Sequence, residues 1–303
     1  MRISTAFVFV LAVGAAAPAA AQPVLDFREE LEAERPEAWA MRWFAAALAP
    51  SGFGAPVDRV GGEVELGVEA GWLPTLSERE RTVGFHGTKT EDLNRSSVFG
   101  RLRGEVGLGA GFTARVGWIP PVEVDGMKPN LVSVAVARPL LVRGRFRLGA
   151  ALLADWGTIE GDLTCDAASA AAGDDPVANP FGCEVPSNDE QRLTAYGLEA
   201  AASWELGAAR RWRAHVAASL RRLDAELRVD ARYAGLIDRS VLAYEGTEWS
   251  VGAGVSRRSG ERLRLALDAV YSPLEVVRDP FGRGPTENDA LFNVRLLVAW
   301  RVR

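Results

Sequence analysis

Residues 291–303 read LFNVRLLVAWRVR, and this stretch restricts the fold more than any other. Phe292, Val294, Leu296, Val298, Trp300 and Val302 share one face, while Asn293, Arg295, Arg301 and Arg303 share the other with Leu297 and Ala299. A period of two is the mark of a β-strand, whose successive side chains point to opposite sides. The apolar face is unbroken for six positions and the opposite face carries three arginines. Such a strand needs an apolar medium on one side and a polar, charge-bearing space on the other.

The other end of the chain reads as an export signal. Arg2 precedes an apolar run over 3–17, and Pro18, Ala19, Ala20 and Ala21 supply the small residues of a cleavage site, placed after Ala21. The run is shorter than the roughly 20 residues of a spanning helix. The chain thus divides into a signal peptide (1–21), a periplasmic N-terminal segment (22–56) and a strand-rich region (57–303). Hydrophobic residues make up 48%, charged residues 25%, and the net charge is −5. Alternation accounts for this soluble-looking balance, because it halves the apolar density of each strand. The mild negative charge argues against a nucleic-acid partner.

Within 22–56 lies the one helical signal. Pro36 suits a first turn, Trp39 with Trp43 and Phe44 with Leu48 are i, i+4 pairs, and Pro50 ends the pattern. A short amphipathic helix is expected, serving as a plug, as an anchor on the inner leaflet, or as a cap on the periplasmic mouth of the strand-rich region. From Val57 onward ten strands are expected, at about 62–73, 98–108, 112–119, 131–142, 146–156, 193–206, 212–233, 241–256, 263–272 and 290–302. Their connections alternate. Those after the odd strands are long, and those after the even strands are tight, as at Gly109–Gly111 and Arg143–Arg145. An even count of hairpins leaves both chain ends on the side of the tight turns. In the seventh strand the alternation slips at Arg221–Arg222, which predicts a bulge.

The signal peptide, the even hairpins, the apolar outward faces and the closing strand together resemble the Gram-negative outer-membrane β-barrel proteins. The expected fold is all-β: a transmembrane up-and-down antiparallel barrel of about 10 strands (range 8–12), with a short periplasmic helix, in the outer membrane. The resemblance implies outer-membrane lipid and the barrel-assembly machinery as partners. It also implies two aromatic girdles. Trp72, Trp118 and Trp156, with Tyr233 and Tyr271, fall at the outer level, and Trp204, Trp212 and Trp300 at the inner. One departure stands out. The class usually ends on an aromatic residue, whereas here Trp300 is followed by Arg301, Val302 and Arg303.

The inward faces carry Glu63, Glu65, Glu69, Arg101, Arg103, Arg115, Arg147, Asp155, Glu199, Arg213, His215, Arg264, Asp268, Arg295 and Arg301. If the last strand pairs with the first, Arg295 and Arg301 meet Glu63, Glu65 and Glu69. A barrel of this size is nearly filled by its own side chains, so a packed charge network is expected and a wide pore is not. Cys165 and Cys183 are the whole cysteine supply and predict a disulfide across one loop. Asp162, Asp166, Asp174, Asp175 and Glu184 crowd that loop without the spacing of a calcium site, so no metal and no cofactor is expected. Two histidines limit catalysis. Ser219 lies roughly 13 Å along the strand from His215, too far for a nucleophile and its base. His86 with Asp92 in the first outer loop resembles the rim pair of the omptin proteases. No catalytic residue is assigned. The expected function is that of a non-enzymatic surface barrel, or a narrow transporter of small or amphipathic solutes; a rim hydrolase using His86 is the alternative.

Overall fold

The computed structural model describes residues 22–57, 59–93, 96–124 and 126–302; the signal-peptide expectation and Arg303 lie outside them. Ten long strands alternate with the connections anticipated above: β1 (Val64–Trp72), β2 (Val98–Gly109), β3 (Phe112–Ile119), β4 (Met127–Arg143), β5 (Phe146–Gly161), β6 (Asp189–Leu206), β7 (Trp212–Arg228), β8 (Val241–Ser259), β9 (Leu263–Ser272) and β10 (Leu291–Arg301). Each pairs antiparallel with its neighbours, and β10 pairs with β1 to close an all-β, ten-stranded barrel. Closure removes the sheet edges, which is what a strand structure in hydrocarbon requires. The seam runs from Val294 opposite Trp72 to Arg301 opposite Glu65. An even number of antiparallel strands, tight turns at one end and longer connections at the other are the form that transmembrane β-barrels take.

The outer surface carries Leu66, Val68, Leu102, Val116, Leu152, Leu198, Leu220, Leu267 and Leu296, all exposed. Trp72, Trp118 and Trp156 are exposed near the rim of the long connections, and Trp204, Trp212 and Trp300 near the rim of the short turns. Tyr233 departs from the expected girdle. It is buried in a small cluster above the barrel with Val229 and Ala231, and its hydroxyl donates to Asp238 at 2.7 Å.

No bulge forms at Arg221–Arg222, because β7 keeps unbroken register with β8, with Arg221 opposite Glu248 and Arg222 opposite Thr247. What changes there is the surroundings. Below this level Val216, Ala218 and Leu220 face outward; above it Arg222 and Asp224 face outward while Leu223 and Ala225 are buried inside. The strand has risen out of the apolar belt, so polar side chains turn to water and apolar ones line the interior.

The apolar interior receives the N-terminal segment, the plug of the three placements expected for its helix, and not the periplasmic cap or the leaflet anchor. Every residue of helix α1 (Pro36–Ala47) is buried, and the helix stands inside the barrel. It is apolar almost all round, as a helix enclosed by protein must be. The residues before α1 lie on the long-connection rim: Val24–Leu25 pair with Ile237–Asp238, and Arg28–Glu30 pair in parallel with Val241–Ala243. The residues after α1 descend through the lumen to β1 at the short-turn rim. Gly52 suits this passage because a Cβ there would overlap the Glu199 carboxylate, and Gly54 adopts φ +104° against His215. The 22–56 segment therefore threads the whole barrel.

Candidate functional site

The lumen has two floors. The lower one, toward the short turns, holds the charges predicted from the strand faces. Glu69, 0% exposed, accepts from Arg101 at 2.9 Å and from Arg103 at 2.7 Å, and lies 3.9 Å from Arg295. Glu65 accepts from Arg264 at 2.5 Å, Arg115 lies 3.5 Å from Glu199, and Arg301 lies 3.0 Å from Glu63. Arg147 and Arg213 share Glu205, Asp155 meets Arg221 at 3.5 Å, and His215 Nε2 meets Asp268 at 2.5 Å. Arg295 and Arg301 do meet glutamates of the first strand, although Glu65 is engaged by Arg264 and Arg59 instead. Two further members of the network are Glu105, on the inward face of β2 two residues beyond Arg103, and Arg59, whose position ahead of β1 carries no periodic signal.

Several of these groups hold α1. The last carbonyls of a helix lack partners within it, and here guanidinium and amide groups supply them. Arg295 donates to the carbonyls of Ala46 and Ala47 at 3.3 Å and to that of Ala49, Asn293 to Ala47 at 3.1 Å, and Arg101 to Leu48 and Ala49. Positive charge at a helix C-terminus is also favoured by the aligned peptide dipoles. Toward the other end, Arg42 donates to Glu248 at 2.7 Å and Trp39 Nε1 to the Asp289 carbonyl at 3.2 Å. Arg42 was missed because a helix pattern scored for apolar faces gives a lone arginine no partner.

The upper floor is apolar and incompletely filled. Between α1 and the wall lies a cavity of about 640 Å³, lined on the lumen side by Trp43, Phe44, Leu48, Phe99 and Ile159. The same cavity is lined by Val68, Val98 and Leu102, whose side chains face away from the lumen, and by Gly100 on the same outward face. It therefore passes through the wall. The register explains how. The β2–β3 ladder stops at Leu102 opposite Trp118, and β3 ends at Ile119 opposite Leu131, whereas β4 extends further toward the long-connection rim, to Met127, in its pairing with β5. Pro120 and Pro121 follow, with no N–H to extend the ladder. Residues 98–101 and 127–130 are left facing each other across a missing strand, a notch roughly 13 Å tall at the usual rise per residue. Pro120, Val122, Val124 and Pro129 line it. The proline pair was the available sequence signal, since it cuts β3 short.

Above α1 a second, smaller cavity of about 220 Å³ is bounded by Phe27, Met41, Phe44, His86, Glu91 and Leu93. Phe44 and Leu93 line both cavities. His86 lies at a left-handed turn, φ 60°, and its backbone N–H donates to Glu37 at 2.6 Å, clamping the loop onto the start of α1. Asp92 lies 3.7 Å from Arg81, and no ion pair joins it to His86 among the described residues. Ser219 bonds Ser250 at 2.7 Å, away from His215. Burial pushes the Glu91 carboxyl up to about 8, with Asp189 and Asp166 adding to the rise and the adjacent Lys89 opposing it. A carboxyl raised above its unfolded value stabilises fully below the ordinary range near 4.5 and ceases to do so as pH climbs through about 8. The protection factors of amides 82–91, with the intrinsic rise of exchange with pH divided out, should therefore fall between about pH 4.5 and 8 and level off above that, and Glu91→Gln should remove this fall.

The Cys165–Cys183 disulfide is formed, with Cα atoms 5.6 Å apart. The acidic residues beside it serve the backbone: Asp166 accepts from the Ser169 N–H at 2.9 Å, Asp162 from Ala167 at 2.9 Å, Asp175 from Val177 at 2.9 Å, and Glu184 from Gly235 at 2.8 Å.

No protein-family model matches the chain, and no curated protein matches it. Among solved structures it is similar to the attachment invasion locus protein Ail of Yersinia pestis (9% identity, TM-score 0.32, covering 80% of this chain and 99% of that one). It is similar also to the outer membrane protease OmpT of Escherichia coli (8%, 0.34, 79% and 94%) and to the toluene transporter TodX of Pseudomonas putida (12%, 0.32, 93% and 78%). These proteins differ in role, and at such scores none of them carries an argument about this chain.

Proposed function

We propose that this chain is a non-enzymatic outer-membrane barrel, exported by a signal peptide cleaved after Ala21, that takes small apolar or amphipathic molecules into its upper lumen. The observation that carries this reading is the apolar cavity of about 640 Å³ that runs from the plug helix through the notch between β2 and β4 to the lipid-facing surface. A polar solute would gain nothing from walls of Phe44, Leu48, Phe99 and Ile159, whereas burying apolar surface there stabilises by about 25 cal/mol per Å². The charged lower floor is packed around the descending segment, with Gly52 against Glu199 and Arg115 and Gly54 against His215 and Ser203. A solute reaching the cavity exchanges with the bilayer through the notch or with the outer vestibule past Phe44 and Leu93. His215 is bound to Asp268 and the His86 backbone is clamped to Glu37, so this reading rests on the cavity and on neither histidine.

Gly100 offers the test. It lines the notch, and a Cβ placed there meets nothing within 4 Å. Gly100→Phe should leave the barrel folded, with its heat-modifiable migration intact, and should weaken binding of a fluorescent apolar probe by tenfold or more, a loss of about 1.4 kcal/mol. Undiminished binding in the folded variant would refute the cavity as the site.

A further inference from the structure

We propose that the short-turn rim is a docking surface for anionic phospholipid, held through its phosphate groups by an arc of arginines. The inference rests on the membrane location proposed above but not on the solute. Three tight turns, at 143–145, 207–211 and 257–262, lie side by side. The Glu205 N–H donates to the Arg145 carbonyl at 2.9 Å, Arg258 to Arg211 at 2.9 Å, and Arg301 to Arg262 at 2.8 Å, so the turns form one continuous arc. Along it Arg143, Arg145, Arg210, Arg211, Arg257 and Arg262 are exposed, and Glu261 is the one exposed carboxylate in these turns.

These guanidiniums are not consumed within the protein. Among the described residues no carboxylate lies within ion-pair distance of Arg143, Arg145, Arg211, Arg257 or Arg262, and Arg210 reaches only Glu205, at 3.8 Å, which Arg147 and Arg213 already share. On the opposite rim arginine is interleaved with acid, as in Arg28–Glu226, Arg79–Glu287 and Arg222–Glu245. The arc also sits at a defined depth. Arg257 stacks over Trp212 at 5.3 Å and Arg138 over Phe112 at 4.9 Å, which fixes cationic groups against the interfacial aromatics, the level of lipid headgroups. Guanidinium forks pair bidentately with phosphate oxygens, and a headgroup that lacks an ammonium leaves the phosphate charge uncompensated for them. Charge complementarity thus selects an anionic leaflet, each guanidinium contributing on the order of fivefold in association.

The experiment uses the full barrel in phosphatidylcholine vesicles containing a minor fraction of lipid brominated on its chains, either phosphatidylglycerol or phosphatidylcholine, and reads quenching of the girdle tryptophans Trp204, Trp212 and Trp300. Brominated phosphatidylglycerol should quench at least twofold more than brominated phosphatidylcholine at equal fraction. High salt should shrink the excess. A variant with Arg143, Arg145, Arg210, Arg211, Arg257 and Arg262 each replaced by Gln, still heat-modifiable and inserted, should lose it. Equal quenching by the two lipids, or an excess that persists in the variant, would overturn the inference while leaving the membrane reading standing; failure of the wild-type barrel to insert would overturn both.

Discussion

Replacing Glu69 with alanine is expected to destabilise the barrel by about 3–5 kcal/mol, because breaking a buried ion-pair network from one side strands the opposite charges. Three guanidiniums converge on this carboxylate, those of Arg101, Arg103 and Arg295; Arg295 also binds the final carbonyls of α1, and Arg101 those of Leu48 and Ala49 just beyond it. The loss therefore has two readouts. The midpoint of denaturant unfolding in detergent should fall, and the plug should loosen, which a planar bilayer would report as new current fluctuations in an otherwise quiet protein. Glu69→Gln keeps the volume and should recover little, since the missing quantity is charge. If both variants unfold like the wild type, the charge cluster is not what seats the helix.

Trp43→Ala is expected to cost a similar amount, about 3–5 kcal/mol for truncation of a buried indole. Trp43 is 1% exposed, packs edge-on against Phe44 with ring centroids 5.3 Å apart, and forms part of the cavity wall. Its removal should thus lower stability and at the same time enlarge the apolar space, so a bulkier apolar probe should bind more tightly to the variant than to the wild type. Lower stability with unchanged probe selectivity would mean that the indole supports the helix without bounding the site.

Much of the architecture is legible in the alternation of single strands. The number of strands, the parity of their connections, the two levels of exposed tryptophan and the seam between β10 and β1 all follow from which side chains share a face, because lipid and lumen impose opposite demands at every second residue. What could not be read are features set by the surroundings of a strand and not by its period. At Arg221–Arg222 the backbone is regular, and the apparent slip is the level at which water replaces lipid outside and α1 replaces charge inside. The helix itself carries Trp39, Trp43, Phe44 and Leu48, a face that suits an interface, a mouth or a lumen equally well. Its place depends on partners remote in sequence, Arg295 and Asn293 above all. The notch is an absence of pairing, which no periodic signal records, although Pro120 and Pro121 mark where β3 has to stop.

One apolar space joins the plug helix to the outward face of the barrel through the wall. Photolabelling of the reconstituted barrel with an apolar diazirine probe, followed by peptide mapping of the adducts, tests it most directly. Adducts should appear on lumen-facing Phe44, Leu48 or Ile159 as well as on Val98 and Leu102 at the notch, with the lumen adducts suppressed in Gly100→Phe. Adducts confined to the outer belt, with Phe44, Leu48 and Ile159 unlabelled at every probe concentration, would contradict it.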